Sequence, residues 1–102
     1  MNKQRDQIAK EAMQYRVELI AYARAFVGDY STAEDIVQQA FLVIFDKYQQ
    51  FQKGTSVLPW SRAIVRIEVL RLRGRRHRER TLSASLLEAV LTLLLILKVR
   101  VG

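Results

Sequence analysis

A cluster of arginines between Arg62 and Arg80 carries almost all of the net charge of this chain. The segment holds eight arginines against two glutamates, a net of +6, whereas residues 1–61 hold seven basic and seven acidic residues. Guanidinium groups neutralise phosphates well. A positive field this concentrated is typical of a surface that binds a polyanion.

Residue types for catalysis or metal binding are not arranged in a recognisable pattern. The chain has no cysteine and one histidine, His77, which lies among arginines, so a zinc site is not expected. Glu34 and Asp35 are adjacent, and neighbours on a helix point about 100° apart, so they cannot form a facing acid–base pair. There is no glycine-rich phosphate loop and no activated nucleophile. We therefore expect neither an enzyme nor a metal or other cofactor.

The elements that position the arginines are predicted to be helices. The 102 residues are half apolar with four glycines and one proline, which favours one all-α domain of long helices. Over residues 6–27, one helix or two abutting helices are predicted to end at Gly28. Their apolar residues recur in steps of three and four: Ile8, Ala12, Tyr15, Leu19, Tyr22, Ala23 and Phe26.

A second helix is predicted from the capping box that Ser31 forms with Glu34 to about Tyr48. Its apolar stripe comprises Ala33, Ile36, Val37, Ala40, Phe41, Ile44, Phe45 and Tyr48. Its other face carries Asp35, Gln38, Gln39, Leu42 and Asp46. A polar face with an exposed leucine is either a solvated surface or a docking surface for another protein.

A third helix is predicted to begin near Val57, with Pro59 in its first turn and a turn at Lys53 and Gly54 before it. The inward stripe is predicted to be Trp60, Ala63, Ile64, Ile67 and Leu70, with the arginines outside. Phe51 is expected to fold back on the core. Gly74 is a candidate kink or early end.

The C-terminal segment is predicted to be a linker, residues 81–85, and a short apolar helix that Ser85 caps. Residues 89–97 are apolar around the whole helix but fall short of the ~20 residues that a bilayer requires, so we expect no membrane span. This run must pack on the other helices, pair with a second copy between Leu86 and Leu97, or lack its natural partner. The absence of cysteine and of a secretory signal favours a cytoplasmic location.

In combination, these motifs resemble region 2 of RNA polymerase sigma factors, specifically the small extracytoplasmic-function type. The words that carry the resemblance are YARAFVGDYSTAEDIVQQAFLVIFDKYQQF and LPWSRAIVRIEVLRLRGRRHRER, and the later RIEVLRLRGRRHRERTLSASLLEAV is similar to a planctomycete/verrucomicrobial subgroup. The resemblance covers about residues 10–90. It implies a three-to-four-helix bundle, to which this chain adds the apolar C-terminal helix.

The resemblance also implies partners and site residues. The second helix would dock on the clamp helices of the largest subunit of core RNA polymerase through Asp35, Gln38, Gln39 and Leu42. The loop with Phe51, Lys53 and Ser56 would receive a flipped base of the promoter −10 element. The strand-separating helix would contact this DNA through Trp60, Arg62, Arg66, Arg73, Arg75 and Arg76. An anti-sigma factor would be a further partner.

The chain also departs from the family pattern. Ile67 and Arg71 stand where the family often has Asn and Asp, and the second step of Gln38–Gln39 lacks a carboxylate. We expect residues 1–80 to form the region 2 domain and residues 81–102 the linker and apolar helix, with region 4, which reads the −35 element, absent. The alternatives are a generic basic nucleic-acid-binding module and a helical interaction protein. In the latter, the arginine run and residues 89–97 would form a homodimer interface or, ranked last because the arginines are not confined to a polar face opposite the leucines, a membrane-surface helix.

Overall fold

The computed structural model describes the backbone of residues 2–101 and the side chains of residues 2–97. Its regular elements are α1 (Lys3–Gln14), α2 (Arg16–Val27), α3 (Tyr30–Asp46), a 3-10 turn (Tyr48–Gln50) and α4 (Val57–Val101). The predicted all-α class is confirmed. The chain divides into two units, Met1–Arg71 and Leu72–Gly102, and the boundary falls within α4.

The first predicted helix is two helices that meet at Tyr15. This residue has φ −95° and ψ 16°, outside the helical range, and its N–H donates to the Ala12 carbonyl at 3.0 Å. The apolar stripe continues across the junction, where Ile8, Ala12, Leu19 and Ala23 are buried. The helix α2 then ends at Gly28, whose φ of 84° suits a residue without a Cβ.

The helix α3 is the centre of the first unit because it packs on both α1 and α2. It contributes five buried residues in steps of three and four, Ala33, Ile36, Val37, Ala40 and Ile44. Fully burying a valine or isoleucine side chain contributes about 1.5–3 kcal/mol, so Ile36, Val37 and Ile44 supply most of the energy by which this stripe holds the three helices together.

The predicted capping box of α3 is wrong. Asp29 is the N-cap, and its Oδ2 accepts a hydrogen bond from the Thr32 backbone N–H at 2.8 Å. A carboxylate here also meets the positive end of the helix dipole, which a serine hydroxyl does not. Glu34 does not reach back to the helix start, since its Oε2 accepts from Arg16 Nη2 at 3.0 Å and ties α3 to α2.

The predicted linker at residues 81–85 is wrong as well, because α4 runs through it without interruption, as it does through Gly74. Serine and threonine cost well under ~1 kcal/mol each in a helix, and there is no proline to break the segment. The hydroxyl of Thr81 donates to the His77 carbonyl at 2.9 Å, so it is satisfied inside the helix. Ser85 is a mid-helix residue and not a cap.

By length and composition, the part of α4 between Val57 and Leu97 contains an 18-residue window that could cross a membrane, and none of that window is buried. The window lies at the C-terminal end, because charged residues fill the preceding turns. The expected absence of a membrane span is therefore not confirmed.

Candidate functional site

The outer face of α3, defined by Asp35, Gln38, Gln39 and Leu42, is exposed along its whole length. These residues follow one another at steps of three, one and three, so they share one side of the helix, opposite the buried stripe. The four side chains that the resemblance assigns to polymerase docking are therefore brought together. Their chemistry is one carboxylate, two amides and one aliphatic group.

An apolar spot lies at the C-terminal end of this face. Leu42 is 65% exposed, and Phe45, three residues later, is 44% exposed. The prediction that Phe45 belongs to the core is wrong, because the predicted stripe is wider than the surface that α1 and α2 cover. The Arg5 guanidinium lies 4.2 Å from the centre of the Phe45 ring, a cation–π contact that covers one side of it.

The loop before α4 brings two aromatic rings together. It turns at Gly54, which has φ 86°, and the Thr55 hydroxyl donates to the Gln52 carbonyl at 2.6 Å. Phe51 and Trp60, both half-buried, then lie with ring centroids 5.2 Å apart at 49°. This separation lies within the range of about 4.5–7 Å that is favourable for aromatic pairs, and both rings stay partly at the surface. Lys53 and Ser56 are exposed on the same loop.

The buried face of α4 in the first unit is not the predicted one. The buried residues are Val57, Ser61, Ile64, Val65, Glu68 and Val69. Of the predicted inward stripe only Ile64 is buried, whereas Ile67 is 48% and Leu70 56% exposed. Both stripes have helical spacing, and the buried one includes a serine and a glutamate, so the sequence favours the wrong stripe.

This rotation places an apolar strip at the surface, and we call Trp60, Ala63, Ile67 and Leu70 the apolar strip of α4. Its first three members line a shallow groove with Val43, Lys47 and Gln50. Arg66 lies one turn from both Ala63 and Leu70, so a cation borders the apolar strip. Such a surface could hold the flat face of a base against carbon and the phosphate beside it against a guanidinium.

Arg62 and Arg66 are exposed and one turn apart on α4. The Arg62 guanidinium lies 6.0 Å from the centre of the Tyr22 ring, at the limit of a cation–π contact. Arg73, Arg75 and Arg76 are exposed too, but they belong to the second unit. The predicted DNA-binding residues are thus all exposed or half-buried, and they are divided between the two units.

Arg71, which the sequence did not assign to the site, has a structural contact. Its Nη1 donates to Glu68 Oε1 at 2.9 Å, and the Glu68 side chain is only 8% exposed. The arginine therefore compensates a buried carboxylate in this chain. A glutamate three residues before an arginine is the sequence signal for this pair.

Among the described residues, no group of three His, Cys, Asp or Glu side chains could hold a metal ion.

The comparison with protein families matches residues 12–79 to the model described as "Sigma-70 region 2". A "Probable RNA polymerase sigma factor" of Haemophilus influenzae is 34% identical over 68 residues, which cover 64% of this chain and 35% of that protein. The "Probable RNA polymerase sigma factor RfaY" of Xanthomonas campestris pv. campestris is 40% identical over 65 residues, 64% of this chain and 16% of that protein. The chain thus spans about a third of one relative and about a sixth of the other. No solved structure matches it.

Proposed function

The chain belongs to the sigma-70 region 2 family, and on that premise we propose that it binds core RNA polymerase and the promoter −10 element in transcription initiation. The family consists of non-catalytic initiation factors. For this chain we propose only two parts of the activity of a sigma factor, polymerase docking and −10 binding.

One observation carries the proposal: the first unit exposes two surfaces of different chemistry on different helices. The outer face of α3 is acidic and amide-bearing with an exposed Leu42, which suits a protein partner. The apolar strip of α4 with Arg62 and Arg66 suits nucleic acid. A factor that brings polymerase to a promoter needs two such surfaces at once.

The DNA surface has the physical components that strand opening requires. Removing a base from the duplex costs a few kcal/mol, and an aromatic platform can return about 1–3 kcal/mol by stacking. The Phe51–Trp60 pair supplies such a platform, since both rings are partly exposed. Each arginine that neutralises a phosphate adds a salt-dependent contribution.

Finer assignments are also proposals. We assign the chain to the extracytoplasmic-function type and to a planctomycete/verrucomicrobial-like subgroup because of the words in α4. We place it in the cytoplasm, where RNA polymerase acts. Three further points stay predictions: an anti-sigma factor as a partner, a homo-oligomer through Leu86 to Leu97, and the division into residues 1–80 and 81–102.

The test separates the two surfaces in one experiment. Asp35→Ala with Gln38→Ala should weaken binding to core polymerase and leave binding of a single-stranded −10 oligonucleotide by the free chain unchanged. Arg62→Ala with Arg66→Ala should do the reverse. Both pairs are exposed, so thermal unfolding should change little.

A matched control for the first pair is Gln14→Ala with Glu18→Ala, an exposed amide and carboxylate on α1 and α2. If the wild-type chain does not associate with core polymerase, or if the control weakens polymerase binding as much, the polymerase-docking proposal is wrong. Equal binding of −10 and scrambled oligonucleotides would instead support a generic nucleic-acid-binding module.

A further inference from the structure

Charge and apolarity are separated along the helix of the second unit, Leu72–Gly102. Residues 73–80, the arginine segment, contain five arginines and one glutamate. Residues 82–97, the leucine segment, contain ten leucine, isoleucine and valine residues and one charged residue, Glu88. The side chains of both segments are exposed.

Apolar side chains of the leucine segment are exposed around most of the helix, and a narrow polar stripe of Ser85, Glu88 and Thr92 interrupts them. Exposure of its large apolar residues ranges from 49% for Val90 to 64% for Leu95. A helix that is apolar around most of its circumference requires an apolar environment on more than one side.

A second copy of the chain would cover only part of this surface. A two-stranded coiled coil would use one seam with steps of three and four: Leu82, Leu86, Ala89, Leu93 and Ile96. It would leave a second set of apolar residues in water: Leu87, Leu91, Leu94 and Leu95. Lipid chains, in contrast, contact all sides of a helix.

The structure makes the apolar helix longer than the sequence predicted. Because residues 81–85 are helical, the apolar helix begins directly after Arg80 and is about 17 residues long. At 1.5 Å per residue it extends about 25 Å, against about 30 Å for the hydrocarbon of a bilayer. Thinning of the bilayer and the long Arg80 side chain can compensate for a difference of this size.

The arginine segment adds charge complementarity. Clusters of four to eight basic residues beside an apolar helix bind anionic lipid headgroups, and five arginines lie here within eight residues. We propose that the second unit binds anionic lipid bilayers, with the leucine segment in the hydrocarbon and the arginine segment at the lipid phosphates. This inference does not depend on polymerase or promoter binding.

The test is flotation of the full chain with vesicles of phosphatidylcholine alone and of phosphatidylcholine with phosphatidylglycerol. We expect co-flotation with the anionic vesicles, reduced about fivefold for each arginine lost in Arg75→Ala, Arg76→Ala and Arg78→Ala. Leu87→Asp with Leu94→Asp, both outside the coiled-coil seam, should reduce it at least ~tenfold. Glu88→Leu should increase it, because it removes a carboxylate from the middle of the leucine segment.

A matched control is Met13→Asp with Val17→Asp, two exposed apolar residues of the first unit, which should leave flotation unchanged. The proposal is refuted if the wild-type chain does not float with anionic vesicles, or if Leu87→Asp with Leu94→Asp floats equally well. Sedimentation distinguishes the other occupant: a dimer that survives these two substitutions, in a chain that does not float, would show pairing through the seam instead.

Discussion

Replacing Leu42 by alanine should weaken the binding of this chain to core RNA polymerase about five- to thirtyfold. Fully burying a leucine side chain contributes about 1.5–3 kcal/mol. Leu42 is 65% exposed in the free chain, so about two thirds of that amount, roughly 1–2 kcal/mol, remains for a partner to gain. Since about 1.4 kcal/mol corresponds to a tenfold change in Kd, this range gives the expected loss.

The assay is a fluorescence anisotropy titration of the labelled chain with core polymerase. The matched control is Val17→Ala, because Val17 is a similarly exposed aliphatic residue, 75% exposed, on α2 and not on the outer face of α3. The midpoint of thermal unfolding should stay within error for both variants, since neither side chain is part of the core.

Two results would refute the reasoning about Leu42. The first is an unchanged Kd for Leu42→Ala, which would mean that the outer face of α3 is only a solvated surface. The second is an equal loss for Val17→Ala, which would mean that aliphatic exposure in general, and not this face, drives association.

Three further changes test other features of the chain. Arg66→Ala should make the slope of log K against log salt less negative, by about 0.7 on single-stranded and about 0.9 on duplex DNA. Titrations at several salt concentrations measure this slope. Arg71→Ala should lower the free energy of unfolding by about 1–2 kcal/mol in urea, because the buried Glu68 carboxylate loses its charged donor. Asp29→Ala should lower the free energy of unfolding by about 1 kcal/mol in the same urea titration. Ser31→Ala should lower it much less, because Asp29 caps α3.

Each of these changes has its own control. Lys10→Ala removes an exposed cation from α1 and should leave the salt slope unchanged. Adding Glu68→Gln to Arg71→Ala should recover part of the lost stability, because no charge is then stranded; no recovery would show that the pair does not matter. A larger loss of unfolding free energy for Ser31→Ala than for Asp29→Ala would show that Ser31, and not Asp29, caps α3.

Local sequence patterns were enough for the positions of most helices and for the outer face of α3. The steps of three and four that indicate α1 to α3 are a property of the helix itself, so they can be read without tertiary contacts. Gly28 ends α2 for a similarly local reason, its positive φ. The family resemblance rests on the same local words and is confirmed for sigma-70 region 2, while the subtype stays a prediction.

Local patterns could not decide between two cap residues, or between two backbone conformations, of similar local energy. Asp29 and Ser31 are both good N-caps, and only the contact of Glu34 with Arg16 on another helix removes one half of the capping box. Residues 81–85 are compatible with a linker or a helix, because their propensities differ by only tenths of a kcal/mol from those of good helix formers. The structure has them as helix.

The sequence by itself determined that this chain is helical, that its charge is concentrated between Arg62 and Arg80, and that Asp35, Gln38, Gln39 and Leu42 face outward on α3. Only the tertiary structure decided how α4 is rotated about its axis in the first unit. Two stripes have the same helical spacing there, so spacing alone cannot select between them. The one with Ser61 and Glu68 is buried, and Arg71 compensates the Glu68 carboxylate. That rotation leaves the stripe with Trp60 and Ile67 at the surface, where it can serve as a binding surface and not as core.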